Sequence, residues 1–280
     1  MKRIKSVAAL LLALALVFVM AACAGGGKTN LEKYNFKSFD KEQPINILIL
    51  GNSFIWTSNV ERPLKSILEE NGVQATVDWQ AKGYWRVQLH YDDIFGAKDE
   101  LPLVKAGYYD VIILQTIYDF TDARYVANFV EELESRELST RIVLFPAENE
   151  ASYSVEYAKT NNRDVGLANW QGLIHKLWYQ EGFPQNSLAM PDEIRHANEL
   201  AGYAGAVLLY CRLFGELPQT QLEDGFMIEA YDHLIPGLDA EEKLESLEVI
   251  RTSSKEIIDL YDNYYAEIYA GQDSSKESGN

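Results

Sequence analysis

A serine set directly after a buried strand can act as a nucleophile if its turn exposes the hydroxyl and a base lies within hydrogen-bond reach. The apolar run Pro44–Leu50 (PINILIL) leads into Gly51-Asn52-Ser53-Phe54. A glycine there allows a tight turn, so Ser53 would stand at the carboxyl edge of a sheet. The plainer reading makes Ser53 a helix cap or turn residue, a common use of Asn-Ser pairs. Four histidines are candidate bases: His90, His175, His196 and His233. His196 closes the loop Met190-Pro191-Asp192-Glu193-Ile194-Arg195-His196, just ahead of the small-residue segment NELAGYAGAVLLY. Asp192 and Glu193 lie four and three residues upstream. Either carboxylate could bond the far imidazole nitrogen and fix its tautomer. Without the serine, His196 reads as a solvated loop residue.

Ser53 and His196 are 143 residues apart, so the fold must bring them together. Buried strands are expected at Pro44–Leu50, Asp110–Gln115 (DVIILQ) and Arg141–Phe145 (RIVLF), and a half-buried one at Val73–Gln80. Helical spacing marks Asn59–Asn71, Ala123–Leu138, Leu167–Gln180 and Asn198–Phe214. Strand–helix alternation with continuously apolar strands implies a parallel sheet covered on both faces, with right-handed crossovers. Ligands in such sheets bind beyond the carboxyl ends of the strands. The residues after Leu50, Leu114 and Phe145 are therefore the ones to watch. Ala240–Tyr269 reads as one long helix with an apolar stripe. It either packs on the domain or offers a surface for assembly.

The chain resembles the SGNH (GDSL-type) hydrolases, and more closely a largely uncharacterised bacterial branch of that superfamily. The likeness rests on Gly51-Asn52-Ser53-Phe54, Ser58-Asn59, Gly83 with Leu89 and His90, Leu114-Gln115, His196, Gly202-Tyr203 and Leu213-Phe214-Gly215. It runs from about Ile45 to Pro218. It implies a three-layer α/β/α, flavodoxin-like domain with a central parallel sheet, here carrying an extra C-terminal helix. It also implies that Ser53 attacks an ester carbonyl with His196 as base and then acid. The oxyanion would be held by the Ser53 and Gly83 backbone N–H groups and the Gln115 amide. The superfamily usually has Asn where this chain has Gln115, and Asp where it has Glu193; Asp192 lies one residue further from His196. Asn59, Trp56, Tyr84, His90 and Tyr118 are candidate substrate contacts. Trp85 and Phe120 join Trp56, Tyr84 and Tyr118 as aromatic platforms for a sugar ring or an acyl chain, or as plain packing under loops. Glu148 and Glu150 follow the Arg141–Phe145 strand and either face the same cleft or are solvated loop acids.

The N-terminus reads as an address. Lys2, Arg3 and Lys5 precede an uncharged stretch, Val7–Ala22, too short for a comfortable permanent span but suited to a signal peptide. Met20-Ala21-Ala22-Cys23 resembles a bacterial lipobox, with Met20 in place of the usual Leu. The expected division is a signal peptide at 1–22, lipidated Cys23 and a tether to residue 43, the hydrolase domain at 44–237, a helix at 238–270 and a polar tail at 271–280. Acyl chains on Cys23 would hold the protein at a membrane surface outside the cytoplasm.

Of the 280 residues, 42 are acidic and 25 basic, a formal net charge of −17, which argues against nucleic acid as a partner. The only other cysteine, Cys211, lies in the apolar run AVLLYCRLF and reads as a core thiol. No zinc motif or phosphate loop is present, so neither a metal nor a cofactor is expected. The reading is a lipid-anchored esterase acting on small O-acyl groups, on carbohydrate or envelope polymers. The alternative is the same fold with a degenerate site that binds a glycan or peptide without turnover.

Overall fold

The computed structural model describes residues 36–96, 101–117, 119–147, 165–180, 183–184, 187–190, 196–219 and 239–277. Its sheet strands are β1 (Ile45–Gly51), β2 (Ala75–Ala81), β3 (Val111–Leu114), β4 (Arg141–Leu144) and β5 (Gly166–Leu167). All neighbours are parallel, in the order β2-β1-β3-β4-β5. The helices are α1 (Ser53–Ser58), α2 (Glu61–Glu70), α3 (Val87–Phe95), α4 (Pro102–Lys105), α5 (Asp119–Ser135), α6 (Trp170–Trp178), α7 (Glu199–Phe214) and α8 (Ala240–Glu277). This is the three-layer α/β/α fold with a central parallel sheet, flavodoxin-like in strand order.

Alternation along the strands divides the core in two. Ile47, Ile49, Ile113 and Val143 share one apolar cluster with side chains from α2, α6, α7 and α8. Leu48, Leu50, Ile112, Leu114 and Leu144 share the other with Val87 and Ile94 of α3 and Val126, Phe129 and Leu133 of α5. Both faces of the central strands are dry from Ile47 and Val111 onward, which is why these stretches are apolar. The chain leaves β1 toward one edge and returns past it to β3, so the carboxyl end of β1 is the point where the winding reverses. A crevice opens there in doubly wound sheets.

Helix α7 is buried along nearly its whole length. Its fit against α1 is close: a Cβ on Gly202 would fall 1.9 Å from the Ser58 carbonyl oxygen. Trp170 ties α7 to the sheet, stacking on Phe145 at 4.6 Å and donating from Nε1 to the Ala201 carbonyl at 2.9 Å. Arg212 is buried, donates to the Leu167 carbonyl and grips Asp262 of α8 with both terminal nitrogens, at 3.0 and 2.8 Å. Helix α8 continues to Glu277, past the expected end near Tyr269; no proline stops it.

The chain enters the domain under the amino ends of the strands. The Phe39 N–H donates to the Leu213 carbonyl at 2.7 Å, Lys41 pairs with Glu216, and the Arg141 guanidinium stacks on Phe39 and donates to the Lys37 carbonyl. Among the described residues no helix is long and apolar enough to cross a membrane. The expected signal peptide, Cys23 and the tether up to residue 35 lie outside the described residues.

Candidate active site

Gly51 ends β1 in a space only glycine fits. A Cβ there would lie 2.3 Å from Ile55 Cγ1 and 2.4 Å from Gln115 Oε1. Asn52 then caps α1, its Oδ1 accepting from the Phe54 N–H at 3.0 Å. Ser53 is therefore the first residue of a helix whose start is fixed, and it is half-buried at the carboxyl edge.

His196 arrives from the other end of the chain. Its carbonyl accepts from the Met190 N–H at 2.7 Å, and the neighbouring Ala197 forms an antiparallel bridge with Ala189. Thr57 Oγ1, one turn beyond Ser53, donates to the Ala197 carbonyl at 2.8 Å, joining α1 to the histidine segment. Asn198 caps α7 through the Ala201 N–H. The result is a contact of 3.0 Å between His196 Nε2 and Ser53 Oγ. The Phe54 ring lies 5.1 Å from the imidazole, centroid to centroid. For the hydroxyl to donate to Nε2, the ring proton must sit on Nδ1. Asp192 and Glu193, the two candidates to accept it, lie outside the described residues.

Two backbone N–H groups near this turn have no acceptor among the described residues. A helix's first N–H has no intrahelical acceptor, and among the described residues nothing bonds that of Ser53. Gly83 lies two residues past β2, whose Ala81 is in register with Gly51, and its N–H is likewise unclaimed among the described residues.

Gln115 occupies a different place from the one expected. Its Oε1 accepts from the Asn52 N–H at 2.8 Å, and its Nε2 donates to Asn52 Oδ1 at 3.0 Å. The Asn52 and Phe54 N–H groups, which can only donate, fix which end of each amide is oxygen. Gln115 is 2% exposed and closes a ring with Asn52, so it holds the Ser53 turn rather than reaching out of it. The methylene that distinguishes it from Asn brings its carboxamide back onto the β1 turn.

His90 is also not on the surface of the site. It is buried, with Nε2 2.9 Å from the Gly51 carbonyl and its ring edge-on to Trp85 at 4.9 Å. Burial, helped by the Lys82 charge, pulls its pKa down to about 4 against the opposing pull of the Gly51 bond and Asp93. Neutral His90 thus donates from Nε2, and the Gln80 amide lies 3.3 Å from Nδ1. Asn59 adopts a left-handed conformation (φ 50°) at the end of α1, and its Nδ2 donates to Glu199 at 3.0 Å. It braces α1 against α7.

The aromatic expectations divide. Trp56, one turn from Ser53, is 62% exposed, and Tyr84, beside Gly83, is 85% exposed with φ 61°. Trp85 is half-buried, with Lys82 Nζ 3.9 Å from its ring centroid. Tyr118, the Phe120 side chain, Glu148, Glu150 and His233 lie outside the described residues. His175 sits on α6 with its ring edge-on to Tyr179. Asn52, Phe54 and Thr57 are the site residues that sequence reasoning passed over; an Asn directly before a helix was the available signal.

No family model matches the chain, and no curated protein matches it. Among solved structures it is similar to a DUF4886 family protein from Bacteroides uniformis, 14% identical with a TM-score of 0.52, over 79% of this chain and 96% of that one. It is also similar to a lipase from a goat rumen metagenome, 9% identical with a TM-score of 0.43, over 60% of this chain and 97% of that one. The first likeness is one of fold and says nothing of activity; the second is too loose to carry an argument.

Proposed function

We propose that the protein is a serine hydrolase of the SGNH type, an esterase that removes small O-acyl groups, with carbohydrate or envelope polymers as the acyl carriers. The observation that supports this reading is the 3.0 Å contact between Ser53 Oγ and His196 Nε2, two groups brought together from opposite ends of the domain. His196 takes the hydroxyl proton as Ser53 Oγ attacks the ester carbonyl. The tetrahedral oxyanion rests on the Ser53 and Gly83 N–H groups. The imidazolium then returns the proton to the leaving alcohol, and water releases the acyl group by the same steps. Asp192 or Glu193 orients the imidazole. The exposed rings of Trp56, one turn along α1 from Ser53, and of Tyr84, beside Gly83, suit the apolar face of a sugar. Anchoring through Cys23 outside the cytoplasm is part of the same proposal, and it rests on the sequence.

The engagement of Gln115 with Asn52 favours a second reading, a binding protein on the same fold, because one expected oxyanion donor is committed elsewhere. Turnover of p-nitrophenyl acetate separates the two. The wild type should hydrolyse it and take up a fluorophosphonate, and Ser53→Ala should abolish both. A wild type with neither property is not an esterase. Metabolic labelling with an alkynyl fatty acid, lost in Cys23→Ala, tests the anchor.

A further inference from the structure

We propose that the inner face of α3 sets the spacing of the oxyanion donors, with His90 and Asp93 as positioning residues for the two backbone segments that carry them. The inference rests on the esterase reading above. His90 and Asp93 are three residues apart, hence on one face of the helix, and are 2% and 3% exposed. A helix that served only to fill the core would be apolar at both places, as it is at Val87 and Ile94. A buried polar side chain is tolerated when its bonds are made, and the partners of these two are specific.

His90 bonds the Gly51 carbonyl, two residues before Ser53. Asp93 accepts from Lys82 Nζ at 2.9 Å, one residue before Gly83. The Gly51 carbonyl also accepts from the Lys82 N–H at 3.3 Å, so both segments meet on a single oxygen. Trp85 fills the space between, with the Lys82 ammonium over its ring and the His90 ring edge-on to it. Its carbonyl accepts from Asn52 Nδ2 at 3.4 Å. The nucleophile turn and the Gly83 loop are thus clamped to α3 and to each other. An oxyanion held between two N–H groups depends on their separation, and a misplacement of about 1 Å costs on the order of 10²-fold in rate.

The test compares the full-length wild type with His90→Leu, His90→Gln and Lys82→Met. It reads kcat and KM on p-nitrophenyl acetate, thermal midpoints, and amide hydrogen exchange at residues 52–54 and 83–85. His90→Leu should lower kcat by ~10–10²-fold with KM within about twofold. His90→Gln, whose amide can still donate to Gly51, should recover most of that loss. Lys82→Met opens the half-exposed end of the clamp and should lower kcat severalfold, with some fall in the midpoint because buried Asp93 loses this partner, so the proposal stays testable if His90→Leu does not fold. Wild-type kcat in a folded His90→Leu or in Lys82→Met, or a change in KM alone, overturns the proposal. If the wild type hydrolyses no ester, the esterase reading fails separately. Hydrogen exchange then decides on the clamp: faster exchange confined to the two segments supports it, and unchanged exchange overturns it.

Discussion

Replacing Gln115 with leucine keeps most of the side chain's volume and removes both of its bonds to Asn52. The Asn52 N–H, in a residue 3% exposed, is left without its acceptor, while Asn52 Oδ1 keeps the Phe54 N–H as a donor. An orphaned buried donor costs about 1–3 kcal/mol, and the lost bond to Oδ1 adds about 1 kcal/mol. We expect a destabilisation of about 2–3 kcal/mol after the leucine's own burial is credited. For a domain of this size, that is a fall of about 5–10 °C in Tm. Gln115→Glu should cost at least as much, because an ionised carboxylate at this buried position loses its hydration and meets Oδ1 as a second acceptor. Thermal melts followed by circular dichroism, with p-nitrophenyl acetate turnover on the same samples, give both readouts. If Gln115→Leu melts with the wild type while turnover drops ~10²–10³-fold, the amide serves the oxyanion directly and the ring with Asn52 is not its role.

His90 gives the protein a pH dependence with a definite sign. The folded state keeps the imidazole neutral down to about pH 4, whereas the unfolded chain takes up a proton near 6.5. Its contribution to stability is therefore full above about pH 6.5 and is lost as the pH falls toward 4, by about 3 kcal/mol in total. Urea midpoints of wild type and His90→Gln between pH 7 and 4 should converge by that amount; parallel curves would contradict it. Gly202→Ala places a methyl against the Ser58 carbonyl, so α7 must withdraw from α1. We expect about 1–3 kcal/mol of lost stability together with lower turnover, since the same two helices hold Ser53 and His196. Burial pushes the Cys211 thiol up to about 12, so a disulfide reagent at pH 8 should leave it unmodified until the protein is unfolded.

The strands and the amphipathic helices were legible because their signals are local. β1, β3 and β4 are apolar runs, and α2 and α7 carry recognisable stops at Asn71 and Gly215. α3 was not legible. It begins at Arg86 without a side-chain cap, and its buried face carries His90 and Asp93 among its apolar residues, which breaks the stripe that marks a core helix. That same feature hid the place of His90. Gln115 was misplaced for a related reason: its type and position are visible in a sequence, but the choice between a ligand and Asn52 depends on a turn formed 63 residues earlier. β5 is two residues long, too short for any periodicity.

The two ends of α7 face opposite poles of the molecule. Its first turn adjoins His196, and its last meets the segment that brings the chain in from Phe36, about 24 Å away along the helix. A grip placed at Phe36 itself would therefore hold the underside of the domain and leave Ser53 and His196 facing outward. A bead-bound preparation coupled at that point should work on long polymers as readily as the free protein does.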